Sequence, residues 1–206
     1  MMTVPGVEKC VSIISKNKTL LKVLLQAAEI IPRQSWYLIG GSVYQTVWNV
    51  KLRRSPEANI GDYDLAYFDP HTGKKQQTYY ENKISERVPG VRVEVKNQAL
   101  VTDAWYEREF GCRKDTSTYL SLEDSIAKAY VSSPVIGISW KDGKLQVLEL
   151  ADLDKLLSLE VFPNFKFRGK RVLKFYKRKY RKCHAIWPKV KFYNWDGRLV
   201  GSEEDI

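Results

Sequence analysis

Residues 36–68 read WYLIGGSVYQTVWNVKLRRSPEANIGDYDLAYF, and the reading of this stretch decides the fold. Trp36 to Ile39 is a short apolar run that meets Gly40-Gly41, which predicts a buried strand ending in a tight turn. Ser42 is placed to cap a following helix, roughly Val43 to Leu52, with Val43, Val47 and Val50 on one face. A polar loop with Pro56 and Gly61 leads into a second strand, Tyr63 to Phe68, stopped by Asp69-Pro70. Asp62 and Asp64 are two positions apart on that strand, so both carboxylates leave the same face.

Outward from this unit, helix and strand signals alternate. Residues 7 to 31 carry apolar side chains at spacings of three and four, with a break at Asn17 or Lys18 and Pro32 as the stop. Lys74 to Arg87 reads as a helix with a weak apolar face (Tyr79, Tyr80, Ile84), hence peripheral. After Pro89-Gly90, Val91-Arg92-Val93-Glu94-Val95-Lys96 alternates strictly, with the valines on one face and Glu94 on the other. Ser121 opens a helix as S-L-E-D, a capping-box pattern, with Ile126, Ala127 and Tyr130 inward. Val135 to Trp140 and Lys144 to Leu148 form a hairpin across Lys141-Asp142-Gly143. A short helix from Asp152 to Leu159 precedes the C-terminal segment. The fold class is α+β: a mixed sheet with helices packed against it. Residues 1–34 are expected to form a helical segment on the core, 35–160 the core, and 161–206 a basic, aromatic segment of the same globule.

The chain has 206 residues, 44% of them apolar, and a net charge of +10. That length and apolar content support a full hydrophobic core. Between Lys166 and Lys191 lie 12 Lys or Arg and no acid, which leaves 22 basic against 24 acidic residues elsewhere. The positive excess therefore belongs to one segment. Three widely spaced cysteines, Cys10, Cys112 and Cys183, make neither a disulfide framework nor a metal-ligand pattern. The opening residues lack the pattern of a secretory leader, and no apolar run approaches the ~18–20 residues of a membrane span. The expectation is a cytoplasmic protein with no membrane partner; oligomeric state is not legible.

Two carboxylates at i and i+2 on a strand, about 6–7 Å apart at the backbone, can close on one divalent ion. Glu94, from a neighbouring strand, can complete the set. Such a centre serves in-line displacement at phosphorus. The Gly40-Gly41-Ser42 turn supplies what this chemistry also needs: backbone N–H groups at a helix N-terminus able to hold phosphate. Each feature alone has an ordinary reading as a capped turn, a solvated strand end or an exposed strand face. Their order and placement carry the argument.

The order of a Gly-Gly-Ser turn, a helix, D-x-D on a strand and a carboxylate on the next strand resembles the DNA polymerase β-like nucleotidyltransferase superfamily. More narrowly, IGGSVYQTVWNV, DYDLAYFD and VEVKNQA resemble a small bacterial nucleotidyltransferase-like family of the NTP_transf_6 type, over roughly residues 30 to 190. The resemblance implies Asp62 and Asp64 as the metal-binding pair, with Glu94 as the third metal-binding and catalytic carboxylate. Gly40, Gly41 and Ser42 would form the phosphate turn, and Lys96, Asn97 and Gln98 would line the cleft. It implies Mg²⁺ (or Mn²⁺) as cofactor, an NTP as substrate and transfer of its NMP group to a hydroxyl acceptor with release of pyrophosphate. The nineteen residues between Ser42 and Asp62 exceed the spacing of minimal superfamily members, so their substrates do not carry over.

The C-terminal segment interleaves cations with Phe167, Phe175, Tyr176, Tyr180, Trp187, Phe192, Tyr193 and Trp195. Phosphate-neutralising cations and base-stacking aromatics suggest RNA or another polyanion as partner, and the same charge could instead assist binding of the NTP itself. The plainer reading is an amphipathic helix, with Val172, Phe175, Tyr176 and Lys179 at helical spacing. The competing function is a catalytically inactive relative that binds nucleic acid or a protein through this segment.

Overall fold

In this computed structural model the described residues are 5–31, 35–102, 107–108, 119–128, 136–149, 153–165 and 168–206. Two N-terminal helices, α1 (Pro5–Ile14) and α2 (Lys18–Ile30), lead to β1 (Trp36–Ile39), α3 (Gly41–Lys51) and β2 (Tyr63–Tyr67). Helix α4 (Lys74–Arg87) and β3 (Val93–Asn97) follow, then α5 (Leu122–Ala127) and the hairpin β4 (Ile136–Lys141) and β5 (Lys144–Glu149). The chain closes with α6 (Leu153–Leu157), β6 (Glu160–Val161), α7 (Lys170–Ile186) and β7 (Lys191–Phe192). Pro32, Cys112, Tyr130, Val135, Asp152 and Phe167, all singled out in the sequence, lie outside the described residues.

The main sheet has the order β3-β2-β1-β4-β5. Only β2 and β3 run parallel; the other pairs are antiparallel. The break between the two N-terminal helices falls at Asn17, whose side-chain oxygen caps α2 by accepting from the Leu20 N–H at 2.8 Å. Its amide donates to Thr46 Oγ1 at 2.7 Å, so the same buried residue ties the cap to α3. The hairpin turn at Asp142-Gly143 has positive φ at both residues, the mirror-image turn that matches strand twist. At the other edge, α4 covers β3: Glu81 accepts from the Val95 N–H and Gln77 from the Asn97 N–H. Those bonds occupy an edge that would otherwise invite strand pairing.

The two faces of the sheet differ. One buries Leu38, Tyr63, Leu65, Val93, Val95 and Ile138 in the main core with α1, α2 and α3. The other carries Asp64 and Ala66 on β2 and Glu94 and Lys96 on β3, with α5 packed through Leu122 and Ile126 against Ala66. Helix α5 differs from expectation in its inward set: Ala127 is exposed, and Leu122, Ser125 and Ile126 are buried. Ser121 caps it by accepting from the Asp124 N–H, while the Asp124 carboxylate accepts from the Leu120 N–H.

The C-terminal segment belongs to the main core. Tyr176, Trp187 and Phe192 are almost completely buried, each contributing roughly 2–3 kcal/mol of apolar burial. The stripe on α7 is Val172, Tyr176, Tyr180 and Cys183, with Phe175 left half-buried. This corrects the expectation of a base-stacking aromatic surface. Tyr176 packs edge-on against Phe192 and Trp195, Tyr193 stacks on Phe162, and Trp187 meets Trp48 of α3. The Trp187 Nε1–H donates to Asn49 Oδ1 at 2.7 Å. These rings pack on one another and are not free platforms.

Candidate active site

The site lies where the C-terminal end of β1 meets the start of β2. Ile39 and Asp64 are partners in the antiparallel ladder, and Asp64 and Glu94 are partners in the parallel one. Asp62 precedes β2 by one residue. The chain leaves β1 through Gly40, at φ +74, where a side chain would be strained. A β-carbon there would also stand 3.2 Å from Asp64 Oδ2. Glycine at this position lets the backbone turn and lets the turn touch the carboxylate.

Helix α3 begins earlier than the sequence suggests. Gly40 is its N-cap and Gly41 its first residue, so Ser42 falls inside the first turn and caps nothing. A hydroxyl at that second helical position cannot fold back onto the helix's own leading N–H groups. The Ser42 hydroxyl is sealed from solvent and has no hydrogen-bond partner, an unmet buried donor beside the turn. The first intrahelical bond is Tyr44 N–H to Gly40 O, so the N–H groups ahead of it point out of the helix end.

The carboxylates sense one another. Burial first, then the charges of Asp62 and Glu94, push the Asp64 carboxyl up to about 6, against partial relief from Lys96 and Arg92. Glu94 makes an ion pair with Arg92. Among the described residues, no three His, Cys, Asp or Glu side chains converge as a ready metal site. The donor set still fits a divalent cation. Asp62 and Asp64 offer hard oxygens, with the charge of Asp64 only partly relieved by Lys96 and Arg92; Glu94 stands one strand away, and water or phosphate oxygens suit the remaining positions of Mg²⁺.

Lys96 shares the site face with Glu94, but Asn97 does not. It continues the buried Val93-Val95 face, and its side chain is committed elsewhere. Its oxygen accepts from the Asp69 and Ala99 N–H groups, and its amide donates to Asp69 O and Thr72 O. Asn97 anchors the loop after β2 and is no cleft residue. Gln98 begins the short 3₁₀ turn that follows.

One cation close to the site was not singled out from the sequence for this role. Lys179 of α7 places its ammonium 4.6 Å from the ring centre of Tyr44, on the first turns of α3. Burial lowers this ammonium to about 8. The Tyr44 hydroxyl lies near Gly41, 3.8 Å from where a β-carbon would be, and burial and then the charges of Cys183, Asp64 and Asp62 raise its pKa. Helical spacing places Lys179 on the same side as Val172 and Tyr176; only the packing of α7 on α3 brings it toward the turn.

A nucleotidyltransferase family model matches residues 28–192, most of the chain. The chain belongs to this nucleotidyltransferase family. No curated protein matches. Among solved structures, a protein whose NMR structure reveals a CCA-adding enzyme head domain is similar, with a TM-score of 0.72. The match covers 91% of this chain and 95% of that one at 20% identity, so it speaks for a shared fold. In this nucleotidyltransferase the mixed sheet sets Gly40 against Asp64. No helix among the described residues is long and apolar enough to cross a membrane.

Proposed function

We propose that this nucleotidyltransferase transfers the NMP group of an NTP to a hydroxyl acceptor and releases pyrophosphate. The observation that supports it best is the contact between Gly40 and Asp64, which sets the open end of α3 directly beside the carboxylate pair. Asp62 and Asp64 would hold Mg²⁺ or Mn²⁺, and when bound the ion supplies charge neutralisation at the transferring phosphoryl group. The N–H groups of Gly41 and Ser42 hold the β- and γ-phosphates, aided by the helix dipole. Glu94 swings from Arg92 to orient the acceptor hydroxyl and take its proton. The acceptor oxygen then bonds to the α-phosphorus, and the bond to the bridging oxygen breaks with its electrons leaving on pyrophosphate. Lys96 and Lys179 offset negative charge on either side. Buried Cys10 and Cys183 suit a reducing, cytoplasmic setting.

A second reading is a catalytically silent relative that binds a polyanion or a protein, and the Arg92–Glu94 ion pair favours it. Incubation with each labelled NTP, Mg²⁺ and cell RNA separates the two. The enzyme reading expects pyrophosphate release that Asp62→Asn or Asp64→Asn abolishes. Absence of turnover and of metal-dependent NTP binding in the wild type would leave the silent reading.

A further inference from the structure

We infer a second site, for the phosphodiester backbone of a single-stranded nucleic acid, at the opposite end of α3. A cavity of about 500 Å³ opens there, its lining formed by Lys51, Arg53, Arg54 and Lys189 together with Leu52, Ile186 and Pro188. Four of its lining residues are cations and none is acidic. Among the described residues, none of the four has a carboxylate partner. On α7, by contrast, Arg181 is held by Glu203 at 2.9 Å. Four unneutralised cations around one cavity repel one another unless an anion joins them. Leu52, Ile186 and Pro188 give the lining apolar surface as well, for sugar and base faces between the phosphate contacts.

The backbone supplies an independent observation. Helix α3 ends in a Schellman motif: the Arg54 N–H bonds to Asn49 O at 2.8 Å and the Arg53 N–H to Val50 O at 3.1 Å. The residue between, in the left-handed conformation that glycine ordinarily fills, is Arg53 at φ +58. A helix that needed only a stop would be better served by glycine. A helix that needed only a cation for its dipole already has Lys51 in the last turn. Arg53 is strained backbone with an exposed guanidinium at the mouth of a basic cavity, and such outliers gather at ligand sites. Arg54 is set in advance, donating to Ile186 O with its guanidinium 5.9 Å over the Trp187 ring. The cavity is of small-ligand size, which suits a few nucleotides of one strand. The inference deepens the reading above by making the acceptor a nucleic acid, held about 16 Å from the phosphate turn along the 11 residues of α3.

The test is binding of a fluorescent single-stranded RNA to the full chain in EDTA without NTP, as a function of salt. The variant Lys51→Gln/Arg53→Gly/Lys189→Gln should bind at least tenfold more weakly. Its slope of log affinity against log salt should be shallower by about 2, three phosphate contacts at roughly 0.7 each. Arg53→Gly alone should raise Tm while lowering affinity severalfold, opposite signs that a structural role would not give. Lys177→Gln/Lys182→Gln on α7 should bind as wild type. Undiminished binding by the triple variant, a preference for duplex or for an acidic peptide, or no RNA binding by the wild type would overturn the inference. The binding assay needs no chemistry, so Asp64→Asn should bind RNA normally. RNA binding without turnover would remove only the transfer reading, and turnover with binding untouched by the triple variant only this one.

Discussion

The two ends of α3 solve the same backbone problem with opposite residues. At its start the chain turns through Gly40 at φ +74, and at its end through Arg53 at φ +58. The first position has no room for a side chain, because Asp64 Oδ2 stands where one would go. The second has open surface and carries a guanidinium. Acidic groups cluster at the helix start and cations at its end, each facing the favourable pole of the dipole. The difference teaches that positive φ marks both ends as special, while the side chain allowed there distinguishes the ligands we propose for them: a metal-bound phosphate at one, a bare phosphate chain at the other.

The largest break in this comparison comes from Gly40→Ala. Its β-carbon meets Asp64 in a strained conformation, so NTP turnover should fall by a factor of 100 or more and stability by about 1–2 kcal/mol, read by steady-state kinetics and urea denaturation. A smaller effect is expected from Lys179→Met. It keeps the stem packed on Tyr44 but removes the charge, and should raise KM for NTP about tenfold with kcat little changed.

Asp64→Asn sharpens the electrostatic half. Burial and neighbouring charge raise the folded carboxyl to about 6 from its ordinary 3.8. Below the lower value both states are protonated and nothing is lost. Between the two, the unfolded chain releases a proton that the folded one keeps, so stability falls as pH rises, and above 6 the penalty is complete. Asp64→Asn should therefore be more stable than wild type at pH 7 in EDTA, on the order of 1 kcal/mol after solvent screening, and no different near pH 3.5. Added Mg²⁺ should narrow the gap. The smallest effect is at the other end of the helix, where Arg53→Gly should gain about 0.5–1 kcal/mol at every pH.

Much of this architecture was legible in the residues. The strand before Gly40-Gly41, the alternation of Val93 and Val95, and the hairpin at Asp142-Gly143 are local patterns, and local physics suffices for them. Asn97 follows Val93 and Val95 in the same alternation onto the buried face. Ser42 was misread as a cap because a positive-φ glycine can start a helix one residue early, which composition does not reveal. Which tail aromatics pack inward is not legible locally, because their partners, Trp48, Phe162 and Asn49, are distant in sequence. Arg53 gave no signal at all: a Schellman end is recognised by its glycine, and here there is none. Lys179 reaches the site only through the packing of α7 on α3.

The measurement that tests the central claim most directly is pyrophosphate release from labelled NTPs by the wild type, Asp62→Asn and Asp64→Asn, with Mg²⁺ and a mixed RNA acceptor. Label should appear in an acceptor with stoichiometric pyrophosphate in the wild type, and both should fall at least a thousandfold in each variant. Equal turnover in the folded variants, or none in a wild type that still binds RNA, would contradict it.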